Sequence, residues 1–149
     1  MSTGTRRTGR SYALQLLYAR DGDASQNLSA AAVNWVDEFE LEVDDQAQTF
    51  ARDLVAAAVE RAGEVDELIA SASKNWRIDR MSRVDRNILR LGAYELLAMT
   101  DVPSRVTLNE AVELAKKFGD ESSPGFVNGV LDRIASELPP SRRGEGPQG

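Results

Sequence analysis

Between Val84 and Leu97 the chain reads VDRNILRLGAYELL, and Val84, Ile88, Leu89, Leu91, Gly92, Ala93, Leu96 and Leu97 leave almost no polar face on a helix. A helix that is apolar nearly all round must be enclosed by other elements. The segment therefore predicts the centre of a bundle, with Gly92 and Ala93 small enough for a close helix crossing. Ser82 and Asp85 stand at capping-box spacing and mark where this helix begins.

The rest of the chain supplies the enclosing elements, because apolar residues recur at helical spacing and no period-two run reaches strand length. A first helix is expected over about residues 6 to 21, with Ala13, Leu14, Leu17 and Tyr18 inward and Gly22 at its end. A weaker second helix falls within 28 to 40, where Ser29 can cap and Val33, Val36 and Phe39 follow. The third runs from Asp44 and Asp45 through Phe50, Leu54, Val55, Ala58 and Ala62 to a break at Gly63. The fourth carries Val65, Leu68, Ile69 and Ala72, and the enclosed segment is the fifth.

After the stop signal Asp101-Val-Pro103, a second capping box from Thr107 to Glu110 opens a sixth helix bearing Ala111, Leu114, Ala115 and Phe118, with Gly119 as C-cap. Ser123 with Pro124 starts a seventh, striped by Val127, Val130, Leu131, Ile134 and Leu138. The expected fold is all-α: a compact bundle of about seven helices around a buried fifth. A chain of 149 residues suits one domain over 1–140, and the Gly-, Pro- and Arg-rich stretch 141–149 reads as a disordered tail.

Two missing residue types remove whole chemistries. With no His and no Cys, catalytic triads of the Ser-His-Asp or Cys-His kind, Cys/His zinc sites, iron–sulfur clusters and disulfides are all excluded. Carboxylates, Lys, Tyr and hydroxyls remain, but they form no catalytic constellation along the chain, so no enzyme, metal or cofactor is expected. Gly144-Glu-Gly146-Pro-Gln-Gly149 spells a dinucleotide fingerprint only by letters, since neither a strand nor a helix flanks it. The acid pairs Glu110/Glu113 and Asp120/Glu121 fit solvated helix ends. No apolar leader follows the polar, basic start, and no run approaches a membrane span. The expected location is cytoplasmic, with no membrane partner.

The net charge of −6 conceals an uneven distribution. Residues 1–20 carry Arg6, Arg7, Arg10 and Arg20 and no acid, residues 21–70 sum to −11, and residues 71–99 return to +3. Brought together, the two basic blocks would make one face able to bind a polyanion. Arg6, Arg7 and Arg10 crowd the positive end of the first helix dipole. They read either as a solvated arm or as bidentate ligands for phosphates. Phe118 and Phe126 flank a loop preceded by Lys116 and Lys117. They read either as core or as a platform for unstacked RNA bases. Tyr18 is open in the same way, as a half-buried helix residue or as a partner contact.

From Val84 to Leu97, through Asp101-Val-Pro103, Asn109-Glu-Ala-Val-Glu-Leu-Ala-Lys-Lys-Phe-Gly119 and Ser123-Pro-Gly-Phe-Val-Asn-Gly-Val-Leu131, the chain resembles the NusB family of transcription antitermination factors. The likeness is dense over residues 76–131 and returns where Arg6-Arg-Thr-Gly-Arg10 leads into Ala13-Leu-Gln-Leu-Leu-Tyr18; residues 22–48 show little of it. The resemblance implies a seven-helix bundle that binds single-stranded boxA RNA of nascent ribosomal RNA transcripts. It also implies a heterodimer with NusE, a small-subunit ribosomal protein, within an RNA polymerase antitermination complex. It assigns Arg6, Arg7, Arg10 and Gln15 to an RNA-facing first helix and Phe118 and Phe126 to RNA-facing aromatic positions, beside Lys117. Tyr18 and Asp85 fall on its partner-facing surface. Thr8 and Gly9 thin the basic cluster, and Ser122 stands where an acid is common.

Three other organisations are weighed against this. A NusB-like domain at the front of an RNA methyltransferase predicts a following α/β domain, and this sequence stops at Gly149. A protein-binding helical module without RNA binding would be indifferent to loss of the arginines. A homodimer closed through the partner face is compatible with either.

Overall fold

The computed structural model describes residues 3–22, 44–74 and 76–138, which form six α-helices, a short 3₁₀ turn and no strand. The helix expected within 28–40 and the tail 141–149 lie outside the described residues. The chain divides between Glu60 and Arg61 into two compact units, each described by itself.

The first unit holds α1 (Thr3–Gly22) and α2 (Asp45–Glu60), packed on each other. From Tyr12 to Leu17 every residue of α1 is buried, more than the one-sided stripe expected. Asp44 caps α2, its Oδ1 accepting the Ala47 N–H at 2.7 Å. Ala47, Ala51, Leu54, Val55 and Ala58 give α2 its buried stripe. Gly9 sits where the two helices meet: a Cβ there would fall 2.5 Å from Phe50 Cδ1 and 3.2 Å from the Ala47 carbonyl. The residue that thins the basic cluster is thus required by packing.

The second unit holds α3 (Ala62–Ala72), the 3₁₀ turn Ile78–Arg80, α4 (Arg83–Ala98), α5 (Ser104–Phe118) and α6 (Ser123–Glu137). The break before α3 falls at Arg61, and Gly63 lies inside the new helix. As its all-round apolarity requires, α4 packs against α3, α5 and α6, burying Ile88, Leu89, Leu91, Gly92, Ala93, Leu96 and Leu97. Arg90 ties it to α3 through a forked pair, Nε to Asp66 Oδ1 at 3.0 Å and Nη2 to Asp66 Oδ2 at 3.2 Å.

One boundary differs from expectation. Helix α5 starts at Ser104, behind Pro103, rather than at Thr107. Proline suits a helix start because it has no N–H to leave unbonded. Thr107 then falls inside the helix, and its hydroxyl donates to buried Glu95 of α4 at 3.5 Å instead of capping.

Candidate nucleic-acid interface

The site grows from the segment that joins α3 to α4. At the end of α3 the Ser73 hydroxyl is anchored on the Ile69 carbonyl at 2.6 Å. Ser73 also receives the Trp76 N–H at 2.8 Å on its own carbonyl. This knot presents the Trp76 indole outward at 57% exposure, the one large apolar side chain so exposed among the described residues. The 3₁₀ turn follows, and Ser82 caps α4 by accepting the Asp85 N–H at 3.0 Å.

The reciprocal half of that capping box is missing at Asp85 Oδ1, which is buried and accepts no hydrogen bond. An orphaned buried acceptor costs about 1–3 kcal/mol, more when charged. Asp85 itself is 8% exposed and lines a cavity of about 270 Å³ together with Trp76, Arg80, Met81, Ser82, Asp120, Ser122 and Phe126. Trp76 and Phe126 stand edge to face there, with ring centroids 6.0 Å apart.

The opposite wall is the turn between α5 and α6. Gly119 is the C-cap of α5 in extended conformation, and its N–H bonds the Ala115 carbonyl at 2.9 Å. Asp120 organises the entry into α6, its Oδ1 accepting from Ser122 N at 2.9 Å, Ser122 Oγ at 2.8 Å and Ser123 N at 3.2 Å. These bonds, led by that from the Ser122 hydroxyl, hold the Asp120 carboxyl below the ordinary aspartate range. Lys117 Nζ lies 5.2 Å from the ring centroid of half-buried Phe118, so that aromatic already carries a cation on its face.

The sequence-predicted residues divide accordingly. The structure brings Phe126 and Asp85 to one cavity and leaves Lys117 exposed beside half-buried Phe118. In the first unit Arg7 is exposed and Arg6 and Tyr18 are half-buried. Arg10 and Gln15 are corrections to a surface role. Arg10 is 3% exposed with its guanidinium 5.8 Å from the Phe50 ring centroid, and buried Gln15 bonds its own helix at the Ser11 carbonyl. Apolar burial on both sides of α1 draws these two inward, against Phe50 and the Ser11 carbonyl. Trp76 was missed by sequence reasoning. An aromatic inside the basic run from Lys74 to Arg90 was the available signal.

The described residues are helical and gather an exposed indole, a second aromatic and Arg80 around one cleft, the arrangement of a helical binding protein. The NusB family profile matches residues 7–136. The NusB transcription antitermination protein of Geobacter sulfurreducens is 50% identical over 91% of this chain and 97% of its own length, and that of Anaeromyxobacter dehalogenans 49% over 96% and 99%. Among solved structures, T. maritima NusB superposes with a TM-score of 0.81 at 38% identity, covering 95% of this chain and 98% of that one. A crystal structure of the antitermination factors NusB and NusE in complex with dsRNA gives 0.79 at 31%, covering 92% and 100%. The chain belongs to the NusB family.

Proposed function

We propose that this chain is a transcription antitermination factor, a cytoplasmic, non-enzymatic adaptor that binds boxA RNA of nascent ribosomal RNA transcripts as a heterodimer with NusE within an RNA polymerase antitermination complex. The observation that carries this is the near full-length likeness to a NusB found with NusE and dsRNA in one crystal structure. The site supports it chemically. Arg6 and Arg7 supply guanidiniums for phosphates, Lys117 adds charge, and Phe118 and Phe126 offer ring surface to bases. Arg10 and Gln15 act behind them by holding α1, and Tyr18 serves the partner face.

The test is binding of a labelled boxA-like RNA to the chain alone and with NusE, beside a scrambled RNA and a duplex, across a salt series. Preference for the boxA-like strand, tightening with NusE and a log–log salt slope of about −3 to −4, from ~4–6 phosphate contacts, are expected. Arg7→Ala should weaken binding and flatten the slope. No RNA binding in either format refutes the proposal.

A further inference from the structure

We infer that Phe50 of α2 is a positioning residue for RNA binding, keeping the arginine-bearing first turns of α1 folded before any RNA arrives; this rests on the RNA-binding function proposed above. The local sequence does not hold those turns by itself. Thr3–Arg10 reads TGTRRTGR, with three threonines and two glycines, all weaker helix formers than alanine. The first turn has no acid, and Arg6 and Arg7 stand near the positive end of the helix dipole, where cations are disfavoured. A helix end with these handicaps frays unless tertiary packing supports it.

The support comes from one ring. Gly9 leaves the space into which Phe50 fits: a Cβ there would stand 2.5 Å from Phe50 Cδ1 and 3.3 Å from Cε1, so a larger residue would push the ring away. Arg10, 3% exposed, lays its guanidinium 5.8 Å from the centroid of the same ring. Phe50 thus meets the two residues that close the arginine cluster. Two residues further along both helices, buried Tyr12 is hydrogen-bonded by Arg52, and from Tyr12 to Leu17 α1 is anchored by its own burial.

The outer arginines stand just ahead of this contact. Arg7 is exposed, and half-buried Arg6 has its Nε beneath the surface, so its stem lies along the protein and its terminal amines are aimed by the helix. Where the first turns are folded, both side chains are in place for phosphates. Where the turns fray, binding must first order them, and the apparent affinity falls by the fraction of chains that are folded there. Direct stacking of Phe50 on a base is the competing account. The ring is half-buried and the Arg10 guanidinium already lies over it, which disfavours that role.

The experiment uses the full chain and a labelled boxA-like single-stranded RNA. Phe50→Ala, under conditions where circular dichroism shows the helices folded, should weaken binding about tenfold, the loss expected if the first turns are then helical about one time in ten. Its log–log salt slope should match wild type, because the same phosphates are contacted once the turns fold. RNA should add more far-ultraviolet helical signal to this variant than to wild type, and amide exchange at residues 5–10 should be faster in the variant without RNA. Phe50→Tyr, which keeps the ring, should restore affinity and protection. Gly9→Ala is an independent check. Alanine favours a helix, yet its Cβ would collide with the ring, so this variant should also bind more weakly. Tighter binding by Gly9→Ala would show that helix preference alone governs these turns and would overturn the inference. It is also overturned if Phe50→Ala lowers stability but binds RNA as wild type does, which would leave Phe50 a packing residue only. Weak binding without added helical signal overturns it too, by giving the ring a direct contact with RNA. If wild type binds no RNA, alone or with NusE, the proposed function fails and this inference with it.

Discussion

Replacing Gly92 by alanine tests the crossing that sets the two walls of the cleft, because α4 begins beside Asp85 and α6 carries Phe126. An ideal Cβ on Gly92 would stand 2.6 Å from Leu131 Cδ1, 2.9 Å from Cδ2 and 3.3 Å from Cγ. Carbon atoms in contact prefer about 3.5–4.0 Å, so Leu131 would have to retreat by roughly 1 Å. It is completely buried and has no open side to retreat into. Overpacking of this kind costs about 1–3 kcal/mol, while alanine gains about 0.8–1.0 kcal/mol over glycine within a helix. The net expectation for Gly92→Ala is a loss of ~0–2 kcal/mol.

The decisive comparison is the same change in a Leu131→Ala background. That background is itself destabilised by about 2–5 kcal/mol through the cavity it leaves. With the clashing atoms gone, the helix preference is retained and the added methyl refills part of the void, worth up to ~0.8 kcal/mol. Gly92→Ala should then stabilise by about 1–2 kcal/mol, giving a coupling of ~1–4 kcal/mol between the sites. Urea unfolding of the four proteins, followed by far-ultraviolet circular dichroism with slopes compared, measures it. Equal destabilisation by Gly92→Ala in both backgrounds would refute the close-crossing account. If the account holds, the single variant should also bind RNA more weakly, because the helix bearing Phe126 is pushed out of place.

Two further outcomes follow from the second unit. The Asp120 carboxyl is held below its ordinary range chiefly by the Ser122 hydroxyl. Its contribution to stability is thus complete above the unfolded aspartate value and lost as pH falls through the lower folded one. Carbon-detected titration should find Asp120 among the most acidic aspartates, and Ser122→Ala should move it upward; an unchanged midpoint would contradict the hydrogen-bond assignment. Arg90→Lys keeps the charge but loses the fork to Asp66 and the bond to Asn87 Oδ1 at 3.2 Å. The pair is partly exposed, with about a quarter to a third of each side chain open to water. The loss should therefore stay near the upper end for surface pairs, about 0.5–1 kcal/mol, and in an Asp66→Ala background Arg90→Lys should cost less, keeping only the part due to the Asn87 bond.

Periodicity alone determined the all-helical class, the central place of the 84–97 helix within its unit and most helix ends, since a helix exposes its pattern every 3.6 residues wherever it lies in the chain. The missing His and Cys settled which chemistries were closed before any coordinates existed. Phe126 and Asp85 were legible as candidates because family motifs carry them. What the sequence could not decide was orientation. Arg10 and Gln15 look like surface residues by type, yet α1 is buried across Tyr12–Leu17, and only the packing of α1 on α2 turned them inward against Phe50 and Ser11. Thr107 had the letters of a cap, but Pro103 started the helix one turn earlier. Trp76, Asp85 and Phe126 are separated by up to fifty residues, so no local spacing could join them. The turn tied by Ser73 and the close passage of α4 and α6 at Gly92 bring them around one cavity, because burial of the apolar stripes fixes where helix ends meet.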